Sequence, residues 1–292
     1  MNKRKENLTG WLFIMPMLVA FLIFIAFPFF TSIGLSFTEW NFIGGWERLK
    51  WVGMDNFVRL TKDFRFVQAI KNTLVYAAAT VPTSILLALG LANLLNHQVY
   101  LKKTLRMAFF IPYISNTVAL AAVFKFLFNT EGIINRALNS MLGVKAIDWI
   151  TNPSANKVPI ILLVIWTALG YELVIYMAAL QNVPRNLYEA ADMDGASGWT
   201  KFWKITFPMI SPTTFYLCIV RFISVFKLFS AVNIITMGTT QASNTSIVQR
   251  IYDSAFSKYE FGYASAEATV LFVLILLITL FQFKVQKKWV NY

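Results

Sequence analysis

The stretch N-V-P-R-N-L-Y-E-A-A-D-M-D-G-A-S-G-W-T-K-F-W-K-I-T-F-P runs from Asn182 to Pro208, with long apolar segments on both sides. It combines polarity with helix signals. Pro184 suits a first helical turn, where a missing N–H costs nothing. Leu187, Ala190 and Ala191 then fall at i, i+3 and i+4 on one helix face. Gly195 can take the positive φ that ends such a helix. Ser197 or Thr200 is placed to cap a second helix, in which Trp199, Phe202 and Trp203 share a face. Pro208 closes the unit where the next apolar run begins. The spacing predicts a helix–turn–helix over 183–206, too short for a domain and presented between two membrane spans.

The rest of the chain is of the same kind. Hydrophobic residues make up 57% of 292 positions, and the mean hydropathy is +0.58, which places the chain among integral membrane proteins. A net charge of +12 suggests nucleic acid at first sight. The Lys and Arg residues, however, cluster at the ends of apolar segments, as membrane topology requires, so a nucleic-acid partner is not expected. The single Cys218 lies in an apolar run, where packing is its expected role. With His97 the only histidine, a histidine-rich metal site is excluded.

Six spans are expected. The first begins near Trp11, with Pro16 and Pro28 near its ends, and reads as a retained helix because the apolar run is too long for a signal peptide. A Trp-rich loop over 38–66 follows, in which Trp40, Trp46 and Trp51 are expected as membrane-interface anchors. The second span covers 72–96 and contains Pro82. The third covers about Met107 to Phe128, the fourth Val158 to Gln181, the fifth Phe207 to Thr236 and the sixth Tyr263 to Phe283. Lys125 near a span end reads as a snorkelling residue. Six spans put both termini on one side. Segments 1–10, 96–107, 183–206 and 284–292 hold twelve Lys and Arg in 55 residues, against ten in 90 on the other side. The denser side, with the termini and the 183–206 loop, is expected to be cytoplasmic.

Charges inside the spans need an explanation, because polar groups in hydrocarbon are expensive. Glu172 lies in the fourth span, and Arg221 and Lys227 in the fifth. Two readings stand. Glu172 and Arg221 line a translocation path together with Lys227 and Asn233, or Glu172 and Arg221 form an ion pair that orders the bundle. The chain has no G-x-x-x-x-G-K-[ST], no H-E-x-x-H, no C-x-x-C and no G-x-S-x-G. No catalytic residue, cofactor or metal is therefore expected, and any ATP hydrolysis belongs to another chain.

Glu189-Ala190-Ala191, Asp194, Gly195, Ile205 and Pro208 resemble the EAA loop of inner-membrane permease subunits of ABC importers. The segment E-A-A-D-M-D-G-A with F-W-K-I-T-F-P behind it is most similar to the carbohydrate branch, the relatives of the maltose and glycerol-phosphate permeases. The pieces W-V-G-M-D-N-F, I-Y-D-S-A-F and F-G-Y-A-S-A-E-A carry the resemblance over nearly the whole chain. It departs from the family at Gly238-Thr239-Thr240, where a Gly-Gly-Pro cluster is usual.

The resemblance implies an all-α type I importer permease in a bacterial-type inner membrane. Residues 1–37 are then a lead and added helix, 38–66 an extracytoplasmic loop and 67–292 a five-helix permease core. The implied partners are two ATPase subunits, a second homologous permease, an extracytoplasmic solute-binding protein and a carbohydrate substrate, most simply an oligosaccharide. The 183–206 loop would dock on the ATPase through Glu189 and its neighbours, with Trp199 and Phe202 as secondary sites. Competing readings are a pair of interfacial helices at 183–206, a secondary transporter with Glu172 or Glu267 carrying a proton, an importer of a non-sugar solute, and a receptor without transport.

Overall fold

The computed structural model describes residues 3–96, 101–238 and 241–290. His97, Thr239 and Thr240 lie outside the described residues. Helices follow one another along the chain, and the strands are confined to Thr38–Glu39 paired antiparallel with Lys50–Trp51 among the described residues. Among the described residues five helices are long and apolar enough to cross a membrane: Gly10–Leu35, Phe64–Asn96, Val158–Gln181, Gly198–Phe226 and Phe261–Gln286. The fourth span has the bounds read from the sequence, and the second starts earlier, at Phe64.

The third span, expected over about Met107 to Phe128, is broken. It is a pair, Lys102–Ile114 and Thr117–Leu127, bent by 97°. The break has a local cause. Pro112 removes a backbone donor and crowds the preceding turn. Ser115 leaves helical geometry at φ −77°, ψ 153°. The Asn116 side chain then accepts hydrogen bonds from the N–H groups of Val118 and Ala119, at 2.8 and 3.4 Å, and starts a new helix.

The fifth span also differs. Its helix begins at Gly198 and passes through Pro208 without a stop. The turn ahead of the proline widens to a π-helix over Phe202–Thr206, with the Phe207 N–H donating to the Phe202 carbonyl. The first span repeats this before Pro28, with a π-turn over Leu22–Ala26 and Phe27 donating to Leu22. In both, the wider turn eases the clash between the proline ring and the carbonyl four residues back. The helix ends at Phe226, so Lys227 caps it rather than lying within it, and a separate short helix spans Ser230–Ile235.

The chain divides into two compact units. In the first, Met1–Phe64 with Ile251–Val273, Asn56 ties the end of the first span by donating to the carbonyls of Ser36 and Thr38, each at 2.9 Å. Arg59 pairs with Glu260 at 3.0 Å and lies 4.1 Å over the Tyr263 ring. Trp40 is not the exposed anchor expected. It is buried, donates from its indole to the Gly45 carbonyl at 2.9 Å and sits 5.7 Å from the Phe261 ring. Trp51 is 71% exposed and stacks on Phe37.

The second unit, Arg65–Arg250 with Leu274–Tyr292, holds a core of Tyr76, Leu163, Leu173, Tyr176, Ile210 and Leu217. Lipid is as apolar as leucine, so these helices associate through close packing and interhelical hydrogen bonds. Gly170 shows how close two of these helices come. A Cβ there would lie 2.5 Å from the Phe109 carbonyl oxygen and 2.8 Å from the Phe110 Cα. Tyr176 supplies a hydrogen bond, donating to Thr214 at 3.1 Å.

Candidate functional site

The loop after the fourth span folds into a bracket of two short helices. Val183 is buried and anchors it. Pro184 is the residue preceding the helix rather than part of its first turn, and Arg185–Met193 forms the helix. Gly195 has φ +68°. Its N–H donates to Asp192 and that of Ala196 to Ala191, at 3.0 and 2.9 Å, which is the Schellman pattern that ends a helix through a left-handed residue. Ser197 caps the following helix by accepting from the Thr200 N–H at 3.2 Å. Two contacts lock the bracket: Lys201 to Asp192 at 2.6 Å and the hydroxyls of Tyr188 and Thr206 at 2.8 Å.

Locking leaves apolar side chains outside. Met193 is 89% exposed and Trp199 73%, with Leu187 and Trp203 also exposed. Glu189, Ala190 and Asp194 are exposed and Ala191 half-buried on this bracket. Phe202 and Pro208 are half-buried, and Phe202 belongs to an aromatic cluster with Trp199, Trp203 and Phe207. Seven of the eight residues singled out here lie on this bracket, and Pro208 follows it in the fifth-span helix.

The intramembrane residues do not all come together. Glu172 and Arg221 do: Arg221 Nε lies 2.9 Å from Glu172 Oε1. Ser84 of the second span donates to the same oxygen at 3.0 Å, and Arg221 Nη2 donates to the Val164 carbonyl at 3.4 Å. Glu172 is fully buried. Lys227 is exposed beyond the helix end, and Asn233 is half-buried on the short helix, where its carbonyl accepts from the Gly238 N–H at 2.8 Å. Neither lines the cavity that Arg221 faces.

That cavity, of about 380 Å³, opens at the bend of the third span. Tyr113, Thr117, Thr167, Tyr171 and Ser224 line it with Arg221. The rings of Tyr113 and Tyr171 are stacked at 5.2 Å, and the Tyr171 and Tyr216 hydroxyls are 3.0 Å apart. Aromatic faces, hydroxyls and a guanidinium together suit a polyhydroxylated ring, whose apolar face stacks while its hydroxyls hydrogen-bond. The sequence reading missed these residues. The signal was Ser115-Asn116 inside an apolar run, which marks the bend that opens the space. Among the described residues no cluster of three His, Cys, Asp or Glu side chains could hold a metal.

Comparison with known proteins bears on the family and the fold. Residues 81–291 match the family described as "Binding-protein-dependent transport system inner membrane component". A probable ABC transporter permease of Bacillus subtilis, YesP, is 36% identical over 99% of this chain and 94% of its own length. The lactose transport system permease LacF of Rhizobium radiobacter is 34% identical over 96% and 94%. Among solved structures, a chain of a bacterial ABC transporter "involved in the import of the acidic polysaccharide alginate" superposes with a TM-score of 0.83 at 27% identity, over 98% of each chain. Another, with 26% identity and the same TM-score, comes from that transporter in complex with an oligosaccharide-bound periplasmic protein.

Proposed function

The chain belongs to the inner-membrane components of binding-protein-dependent transport systems, and from that premise we propose that it is the permease subunit of an ATP-driven importer for a carbohydrate. It is a multi-pass membrane protein of the ABC permease class. The lactose and alginate transport of its relatives and the aromatic, hydroxyl-lined cavity support a sugar, most simply an oligosaccharide. An extracytoplasmic binding protein delivers it, a second permease completes the pathway, and two ATPase subunits drive alternating access. Residues 67–292 form the translocating core in this reading, with the first span as an addition.

One observation carries the proposal: an exposed, internally locked bracket that joins two spans and holds Glu189, Leu187, Met193 and Trp199 outside. Such a bracket suits transmission of force, because the Schellman turn at Gly195 and the Lys201–Asp192 pair couple its two helices. The second of these helices is continuous with the fifth span. A push on Trp199 therefore reaches the helix that carries Arg221. The denser basic content of this side supports a cytoplasmic bracket, where a Glu189 carboxylate can accept charge-assisted hydrogen bonds from an ATPase.

The test is co-purification of the ATPase together with sugar-stimulated hydrolysis. Gly195→Val, which puts a β-branched residue at φ +68°, and Glu189→Lys are expected to insert in the membrane but to lose ATPase binding or its response to sugar. Normal assembly and normal stimulation in both variants would remove the bracket from the mechanism.

A further inference from the structure

Arg221 is the only charged side chain among the residues lining the cavity at the third-span bend. Its charge does not stand alone. Glu172 sits behind it, fully buried and 2.9 Å from its Nε. Glu172 does not line the cavity, and Ser84 holds its carboxylate from the far helix. The side chain that faces the cavity is thus cationic, and the one that faces away cancels it. We propose that Glu172 sets the substrate class by leaving the cavity of this chain with no net charge, so that it takes uncharged sugars and disfavours acidic ones.

The inference rests on reading the cavity as a sugar site. The fold does not decide the matter, since a similar structure belongs to an importer of an acidic polysaccharide. An uncompensated guanidinium among Tyr113, Tyr171 and three hydroxyl side chains would attract a carboxylate-bearing sugar. Paired with Glu172, the same guanidinium still offers N–H donors to hydroxyls but gives no net Coulomb attraction to an anion. Glu172 acts through Arg221 and is a positioning residue rather than a contact.

Two measurements test the proposal. In the first, a thiol is placed in the cavity by Ser224→Cys, with Cys218→Ala removing the native thiol. Full-length protein in membranes is then labelled with anionic sulfonatoethyl or cationic trimethylammonioethyl methanethiosulfonate. The ratio of the two rates, relative to a free thiol, reads the local charge. With Glu172 present the ratio is expected to match a neutral site within about threefold, and Glu172→Gln is expected to raise it in favour of the anion by at least about tenfold. An unchanged ratio overturns the proposal. Should Glu172→Gln fail to insert, the double variant Glu172→Gln with Arg221→Gln is expected to keep the original ratio, and a ratio shifted in favour of the cation overturns the proposal as well.

In the second measurement, thermal protection of the purified importer complex is read with maltotriose, raffinose, cellotriose and trigalacturonate. At least one neutral trisaccharide is expected to protect, trigalacturonate is not, and Glu172→Gln is expected to gain protection by trigalacturonate. Equal protection of the unaltered protein by trigalacturonate overturns the assignment of class. Protection by none of the four, with the thiol ratio as expected, overturns the sugar reading of the cavity while leaving the charge cancellation standing.

Discussion

Two glycines inside spanning helices give opposite predictions from the same substitution. Gly90 lies in the second span and Gly170 in the fourth. Propensity alone favours alanine at both, by roughly 1 kcal/mol in a helix interior. At Gly90 a Cβ meets nothing within 4 Å, so Gly90→Ala is expected to be neutral or stabilising. At Gly170 the Cβ would lie 2.5 Å from the Phe109 carbonyl oxygen and 2.8 Å from the Phe110 Cα. Both neighbours are backbone and cannot rotate away. Ordinary contact begins near 3.4 Å, so the Lys102–Ile114 helix must withdraw by about 1 Å, a gap that forfeits a quarter to a half of each dispersion contact it opens.

Overpacking of this kind costs typically about 1–3 kcal/mol. After the propensity gain, Gly170→Ala is expected to destabilise by up to about 2 kcal/mol, which at that upper end is roughly 4–8 °C in Tm on the scale of a domain of 150–250 residues. The adjacent Tyr171 loses its 5.2 Å stacking on Tyr113 in the same movement, so sugar uptake is expected to fall further than stability does. Thermal melts of both variants by fluorescence-detected size exclusion, with uptake measured in parallel, provide the check. If Gly170→Ala melts at or above Gly90→Ala, the helix crossing is not as close as described and the reasoning fails.

Asn116→Ala removes the side chain that starts the second half of the third span, and a loss of about 0.5–2 kcal/mol is expected in the same assay; an unchanged melt would show that the bend does not depend on the cap. Arg221→Met leaves Glu172 buried without its partner and is expected to cost about 3–5 kcal/mol, whereas Glu172→Leu combined with Arg221→Met recovers most of it; additive losses would show that the pair is not coupled. The Asp148 carboxyl is held below its ordinary value by hydrogen bonds from the Thr151 hydroxyl and N–H and from the Ile150 N–H. A depressed carboxylate contributes stability above the unfolded value near 3.8 and loses it as pH falls through the folded value. Asp148→Asn is therefore expected to flatten the acid side of the stability profile between pH 5 and 2, and identical profiles would refute it.

Much of this protein could be read from its residues because the relevant forces are local. The uncharged runs fix where a chain can cross a bilayer, and the fourth span has the bounds that its composition gives. The bracket was legible for the same reason. Ser197 caps and Gly195 turns through contacts within five residues along the chain, so periodicity and cap chemistry suffice. Two local signals were legible in principle yet outweighed by apolar length: the Ser115-Asn116 break and the π-turns that carry helices past Pro28 and Pro208.

Other features depend on partners far along the chain. Trp40 looks like an interface anchor until Phe261, more than two hundred residues on, covers its ring. Glu172, Arg221 and Ser84 are three isolated polar residues in three apolar runs, and only the packing of those helices brings Arg221 and Ser84 to 2.9 and 3.0 Å from the Glu172 carboxylate. The cavity beside them is formed by side chains that are ordinary on their own helices, and it exists because the third span bends and Gly170 lets the fourth come close. The sequence by itself determined which segments are apolar enough to span a membrane and that a bracket of two short helices links two of them, since hydropathy and capping act over a few residues. The tertiary structure alone decided which polar groups meet inside, because a buried charge is stable only where the fold delivers its partner.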